Sequence, residues 1–104
     1  MTASELKTAL EGTGLPVAYH AFKKPQSLPF IVYIESGTDN VSADGVVYQK
    51  ASGWAVELYT ENRDLTAEGK VEEALAPYFW NSTEIYLEDE KCFETIYTMK
   101  EYGG

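Results

Sequence analysis

Two apolar segments limit this chain more than anything else in it. Leu28-Pro29-Phe30-Ile31-Val32-Tyr33-Ile34 and Trp54-Ala55-Val56-Glu57-Leu58-Tyr59-Thr60 both carry bulky side chains at successive positions. In a strand, alternate residues point to opposite faces. Phe30, Val32 and Ile34 therefore share one face, and Ile31 and Tyr33 share the other. Both faces are apolar, so both must meet something. A sheet with more apolar surface than two short helices can cover follows from this pattern.

The remaining elements read in order. Thr2 and Glu5 have the spacing of a capping box. Leu6, Ala9 and Leu10 then form a helical stripe, which Gly12, Gly14 and Pro16 end. A strand is expected over Val17 to Phe22, followed by a loop from Lys23 to Pro29. The next strand covers Phe30 to Glu35. Ser36 to Gly45 is rich in turn formers, and Asp44-Gly45 is a hairpin signal. Val46 to Lys50 and Gly53 to Glu61 read as two strands or as one strand with a bulge at Ser52-Gly53.

Asp64 is a good N-cap for a second helix, whose stripe is Val71, Ala74, Leu75 and Tyr78. Pro77 ends or kinks that helix. Asn81 and Ser82 supply a turn. Glu84 to Glu88 and Lys91 to Lys100 form a final hairpin around Asp89-Glu90, with Gly103-Gly104 as a loose tail. The expected fold is α+β: a mostly antiparallel sheet, two helices packed on one face, in the order α-β-β-β-β-α-β-β. The 104 residues make one domain, with no internal repeat or linker.

Charge and composition narrow the functional classes. Seventeen acids against eight bases give a net charge of −9, which repels phosphates at long range. The only adjacent basic pair is Lys23-Lys24. No apolar run approaches the roughly 20 residues of a membrane span, and the N-terminus lacks a secretory pattern. A single cysteine, Cys92, cannot form an internal disulfide and fits a reducing compartment.

No catalytic or metal constellation is expected. Nucleophilic catalysis needs a nucleophile, a base and an orienting group. The one histidine, His20, alternates with Ala18 and Phe22 and reads as a structural position. Cys92 next to Lys91 has no implied pocket. No cysteine or histidine pair has ligand spacing. Asp39 to Gly45 fails the calcium-loop pattern, and Glu88-Asp89-Glu90 reads as a solvated corner. Gly12-Thr13-Gly14 follows a helix and has no lysine, so it is not a phosphate loop. No cofactor is called for. Asn81-Ser82-Thr83 is a glycosylation acceptor only in form.

The surplus sheet face is the functional clue. If Phe30, Val32, Ile34, Trp54, Val56 and Leu58 lie under the helices, then Ile31, Tyr33, Tyr59 and Tyr86 point outward as an oligomer interface. Each such side chain is worth about 1.5–3 kcal/mol on burial, before association costs. The alternative is a face half covered by the final hairpin or the N-terminal segment. The loop residues Asp39, Asn40 and Asp44, with Tyr48, are candidates for a second contact.

Leu15-Pro16-Val17-Ala18-Tyr19, Leu28-Pro29-Phe30-Ile31-Val32-Tyr33, Ala43-Asp44-Gly45 with Val47-Tyr48, and Glu57-Leu58-Tyr59-Thr60 before a charged turn and helix together resemble a protein family. The resemblance is to the tail-terminator (tail-completion, minor tail) proteins of long-tailed bacteriophages, and it spans nearly the whole chain. It implies a structural, non-enzymatic virion protein of the tail and neck, assembled in the bacterial host. Copies of the chain form a ring, hexameric in the family, at the head-proximal end of the tail tube. The implied partners are the major tail-tube protein and a head-completion protein. DNA passes through the lumen without specific binding, and no membrane is involved. Other neck components, such as head-closure proteins, are similar in size and class. A terminal Gly103-Gly104 also resembles ubiquitin-like carriers, although those open with a hairpin and not a helix.

Overall fold

The computed structural model describes residues 2–43 and 46–103, and the side chains of residues 2–35 and 53–99. The order of elements is α1 (Ala3–Glu11), β1 (Val17–Tyr19), β2 (Phe30–Ala43), β3 (Val46–Thr60), α2 (Leu65–Ala74), β4 (Asn81–Leu87) and β5 (Cys92–Gly103). The fold is α+β, with one sheet of strand order β1-β2-β3-β5-β4. Every pairing is antiparallel except β1 with β2, so the sheet is mixed.

Both helices start as their caps dictate. Thr2 accepts from the Glu5 amide at 3.1 Å, and Glu5 accepts from the Thr2 amide at 2.9 Å. Those bonds hold the Glu5 carboxyl below its ordinary range, the backbone bond most of all. Asp64 accepts from the Ala67 amide at 3.0 Å and starts α2. The helix stops at Ala74, ahead of Pro77, which has no amide hydrogen to continue it.

Several strand boundaries differ from expectation. Of the two readings after Asp44-Gly45, the single long strand holds, 15 residues in length, so the described residues form five strands and not the six of the expected order. The extra residue lies on the partner: Glu35 pairs with Trp54 and Gly37 with Gly53, leaving Ser36 unmatched in a bulge. Ser36 to Ala43, expected as a loop, continues β2. Cross-strand pairing with β3 overrides the weak strand propensity of Gly, Asp and Asn there. Asn81 and Ser82 likewise begin β4 instead of making a turn, and Gly103 pairs with Lys50 at the end of β5. Gly104 and the Asp44-Gly45 corner lie outside the described residues.

The largest correction concerns the phase of β2. Ile31 pairs with Leu58 and Tyr33 with Val56, while Val56 pairs with Tyr97 and Trp54 with Met99. These residues form the face beneath the helices. They pack with Leu6 and Leu10 of α1 and with Ala67, Val71 and Leu75 near α2. Leu6, Leu10, Ile31, Val56, Leu58, Val71, Leu75 and Tyr97 are fully enclosed. Ile31 and Tyr33 are therefore core residues and not outward interface residues. Phe30, Val32 and Ile34, expected under the helices, occupy the opposite face. Alternation fixes which residues share a face but not which face is inside, and a one-residue change of phase exchanges the two sets.

Candidate functional site

Among the described residues no helix packs on the second sheet face, so it is the candidate functional surface. Strand register places Phe30, Val32 and Ile34 of β2, Ala55, Glu57 and Tyr59 of β3, and Glu94 and Ile96 of β5 on it. Its cover comes from the β1–β2 connection. β1 ends at Tyr19, three residues short of the expected strand, because His20 takes a left-handed conformation with φ of 69°. The Ala21 amide donates to the Tyr19 carbonyl at 2.8 Å across His20, which is a γ-turn. The chain then crosses the open face. Phe22 meets the Phe30 ring edge-on at 5.3 Å, and Phe30 stacks on Tyr59 at 4.9 Å. His20 is exposed on this turn, contrary to its expected place within a strand.

The connection leaves a cleft of about 430 Å³. Phe22, Phe30, Val32 and Tyr59 contribute its rings and apolar wall, and His20, Lys23 and Lys24 also line it. A larger hollow, about 510 Å³, lies between Pro29 and the turn that follows β3. A third, about 340 Å³, separates the two helices at Ala9, Thr13 and Lys70. Neither of these has an aromatic wall. The cleft on the open face joins apolar surface to a basic rim, and this combination makes it the better place for a partner to dock.

A polar knot lies at the edge of the cleft. The Tyr59 hydroxyl donates to Glu94 Oε2 at 2.8 Å and stands 3.1 Å from Glu57 Oε1. One phenolic proton cannot serve both acceptors at once. Desolvation, followed by the charge of Glu94, pushes the Glu57 carboxyl above its ordinary range. A Glu57 that keeps its proton supplies the second donor the cluster needs. Desolvation also raises Tyr59, with its bond to Glu94 next in importance, so the phenol stays neutral. The Tyr59 hydroxyl thus joins two carboxyls into one hydrogen-bonded cluster on a partly dry surface.

Of the four predicted interface residues, only Tyr59 lies on this face. Ile31 is fully buried and Tyr33 is 6% exposed, both in the core. Tyr86 is half exposed, but it pairs with Phe93 on the helix side of the sheet, with ring centroids 5.0 Å apart. The backbones of Asp39 and Asn40 lie in β2, paired with Ala51 and Lys50. Tyr48 falls at a second register shift, where Val41 pairs with Gln49 and Ser42 with Val47. Asp44 lies outside the described residues.

Sequence reasoning missed Phe22, Phe30, Val32 and Glu94 as members of the surface. Glu57 and Tyr59 were traceable as same-face neighbours two residues apart. Glu94 was not, because it joins them only through the β3–β5 register. Cys92 is buried at the start of β5, and burial, together with Glu90 and Glu94, pushes its thiol up and away from reactivity.

No known family model matches the chain, and no curated protein matches it.

Proposed function

We propose that this chain is a ring-forming structural subunit of a bacteriophage tail, a tail terminator that ends tube growth and offers the head its docking surface. The observation that carries this reading is the sheet face without helices, where Phe30, Ile34, Tyr59 and Ile96 remain partly exposed. A closed ring needs heterologous contacts, so each subunit must present two different adhesive surfaces. The open face supports the first. The edges of the sheet support the second: β4 ends the sheet on one side, and β1 flanks β2 only from Ile31 to Tyr33 on the other. Beyond Tyr33, β2 and β3 run on together as a hairpin to the Ala43–Val46 pair. The acid excess suits a lumen through which a duplex must slide without being held.

The test is sedimentation and negative-stain microscopy of the pure chain, alone and with the tail-tube protein of its phage. Rings at micromolar concentration, and tubes capped at one end, are the expected result. A monomer under every condition, with uncapped tubes, overturns the proposal. Binding to a head connector without capping of tubes assigns the chain to head closure instead.

A further inference from the structure

The two edges of the sheet differ in charge. Beside β1 and β2, the cleft on the open face carries the exposed Lys23 and Lys24 on its rim. Among the described residues, neither lysine forms an ion pair with an acid. The carboxyls at the edge of the cleft, Glu57 and Glu94, are engaged with the Tyr59 hydroxyl. At the opposite edge, β4 and β5 are joined by the exposed Glu88-Asp89-Glu90-Lys91 corner, three acids against one base. Ile85 and Leu87 precede this corner on the open-face side of β4, in register with Glu94 and Cys92, and Ile85 is 40% exposed.

One edge is thus a basic rim around an aromatic cleft, and the other is an acidic corner with apolar residues behind it. The two patches are on one molecule but at opposite ends of a five-strand row, so a single copy cannot bring them together. They can meet only between copies. We infer that the cleft at Phe22, Lys23, Lys24, Phe30 and Val32 receives the Glu88–Glu90 corner of a second copy of this chain, with Ile85 and Leu87 against the aromatic wall. This inference rests on the ring reading and gives it an interface. The contact is head-to-tail, because each copy offers a cleft at one edge and a corner at the other. Opposite charges set the register of the contact, and the apolar pair supplies the dry area.

Charge reversal tests the contact, with sedimentation velocity across a concentration series as the readout. The exposed positions involved let each variant fold, which circular dichroism verifies. K23E/K24E and E88K/E90K should each raise the concentration for half-assembly about tenfold or more, because like charges then face each other. The fourfold variant K23E/K24E/E88K/E90K should assemble as the wild type does. So should an equimolar mixture of the two double variants, which closes only rings of even number. Double variants that assemble at the wild-type concentration, or a fourfold variant that stays monomeric, overturn this interface and leave the ring reading standing. A wild-type chain that never assembles, even with tube protein, removes the ring reading itself.

Discussion

The two faces of the sheet obey different rules. Beneath the helices, Ile31, Val56, Leu58 and Tyr97 are fully enclosed, and among the described residues no buried side-chain nitrogen or oxygen lacks a partner. Tyr97 donates to Glu72 Oε2 at 3.0 Å, tying the sheet to α2, and its ring meets Trp80 edge-on at 5.2 Å. The open face mixes Phe30, Ile34 and Ile96 with Glu57 and Glu94, and its cover among the described residues is the loop after β1. The first face is built to hold one chain together. The second accepts partial exposure and two neighbouring carboxyls, which a folding core has no reason to tolerate.

The sharpest way to break this contrast is to delete equivalent bulk on each face. Leu58→Ala should cost about 2–5 kcal/mol, since the residue is enclosed and leaves a cavity. Ile96→Ala and Ile34→Ala, both partly exposed in the isolated chain, should cost about 1 kcal/mol or less but weaken assembly. Urea denaturation of the monomer reads the first effect and sedimentation the second. If Ile96→Ala destabilises the monomer as much as Leu58→Ala, the open face is a folding surface and the contrast disappears.

Next in size are the two tyrosines, one on each face. Tyr97→Phe strands the Glu72 carboxylate in a partly buried place and should cost about 1–3 kcal/mol in urea denaturation. Tyr59→Phe removes the hydroxyl between Glu57 and Glu94. Glu94 is buried and loses its donor, so the loss should be of similar size, about 1–3 kcal/mol.

The fold class was legible because caps, glycines and prolines act locally: Thr2, Gly12, Asp64 and Pro77 each punctuate the chain where expected. The open face was legible as a fact and not as a set of residues. Phe30 to Ile34 alternates visibly, but both its sets are apolar, so only pairing with Leu58 and Val56 decides which one turns inward. Glu94 joined the site for the same reason, through a partner 35 residues away in sequence. The turn residues of Ser36 to Ala43 misled because the local propensity of a strand yields to its neighbours.

The pH response sharpens the contrast further. Burial and Glu94 raise the Glu57 carboxyl in the folded chain, so the folded state holds a proton that the unfolded state releases. That contribution is complete below the ordinary glutamate range and is lost as pH rises through the folded value. Stability should therefore fall as pH climbs above that range, and Glu57→Gln should flatten this part of the profile. Thermal melts across acid to neutral pH make the comparison. A profile unchanged by Glu57→Gln means the proton is not held at this knot. Glu68, raised mainly by desolvation beneath Arg63 and Glu84, contributes with the same sign and is the control to substitute in parallel.

The smallest effect concerns how the open face gets its partial cover. His20 is left-handed at φ of 69°, and this turn sends Phe22 and the lysines across the sheet. A left-handed conformation costs an ordinary L-residue roughly 1–2 kcal/mol and glycine almost nothing. His20→Gly should therefore stay within about 0.5 kcal/mol of the wild type, because relieved backbone strain offsets the lost edge contact between His20 and Tyr19. His20→Val should cost about 1–2 kcal/mol, since a β-branched residue is the worst fit for this region. Should valine prove harmless and glycine costly, the imidazole and not the turn holds the loop. The cover over the open face would then be anchored by a side chain that a docking partner has to displace.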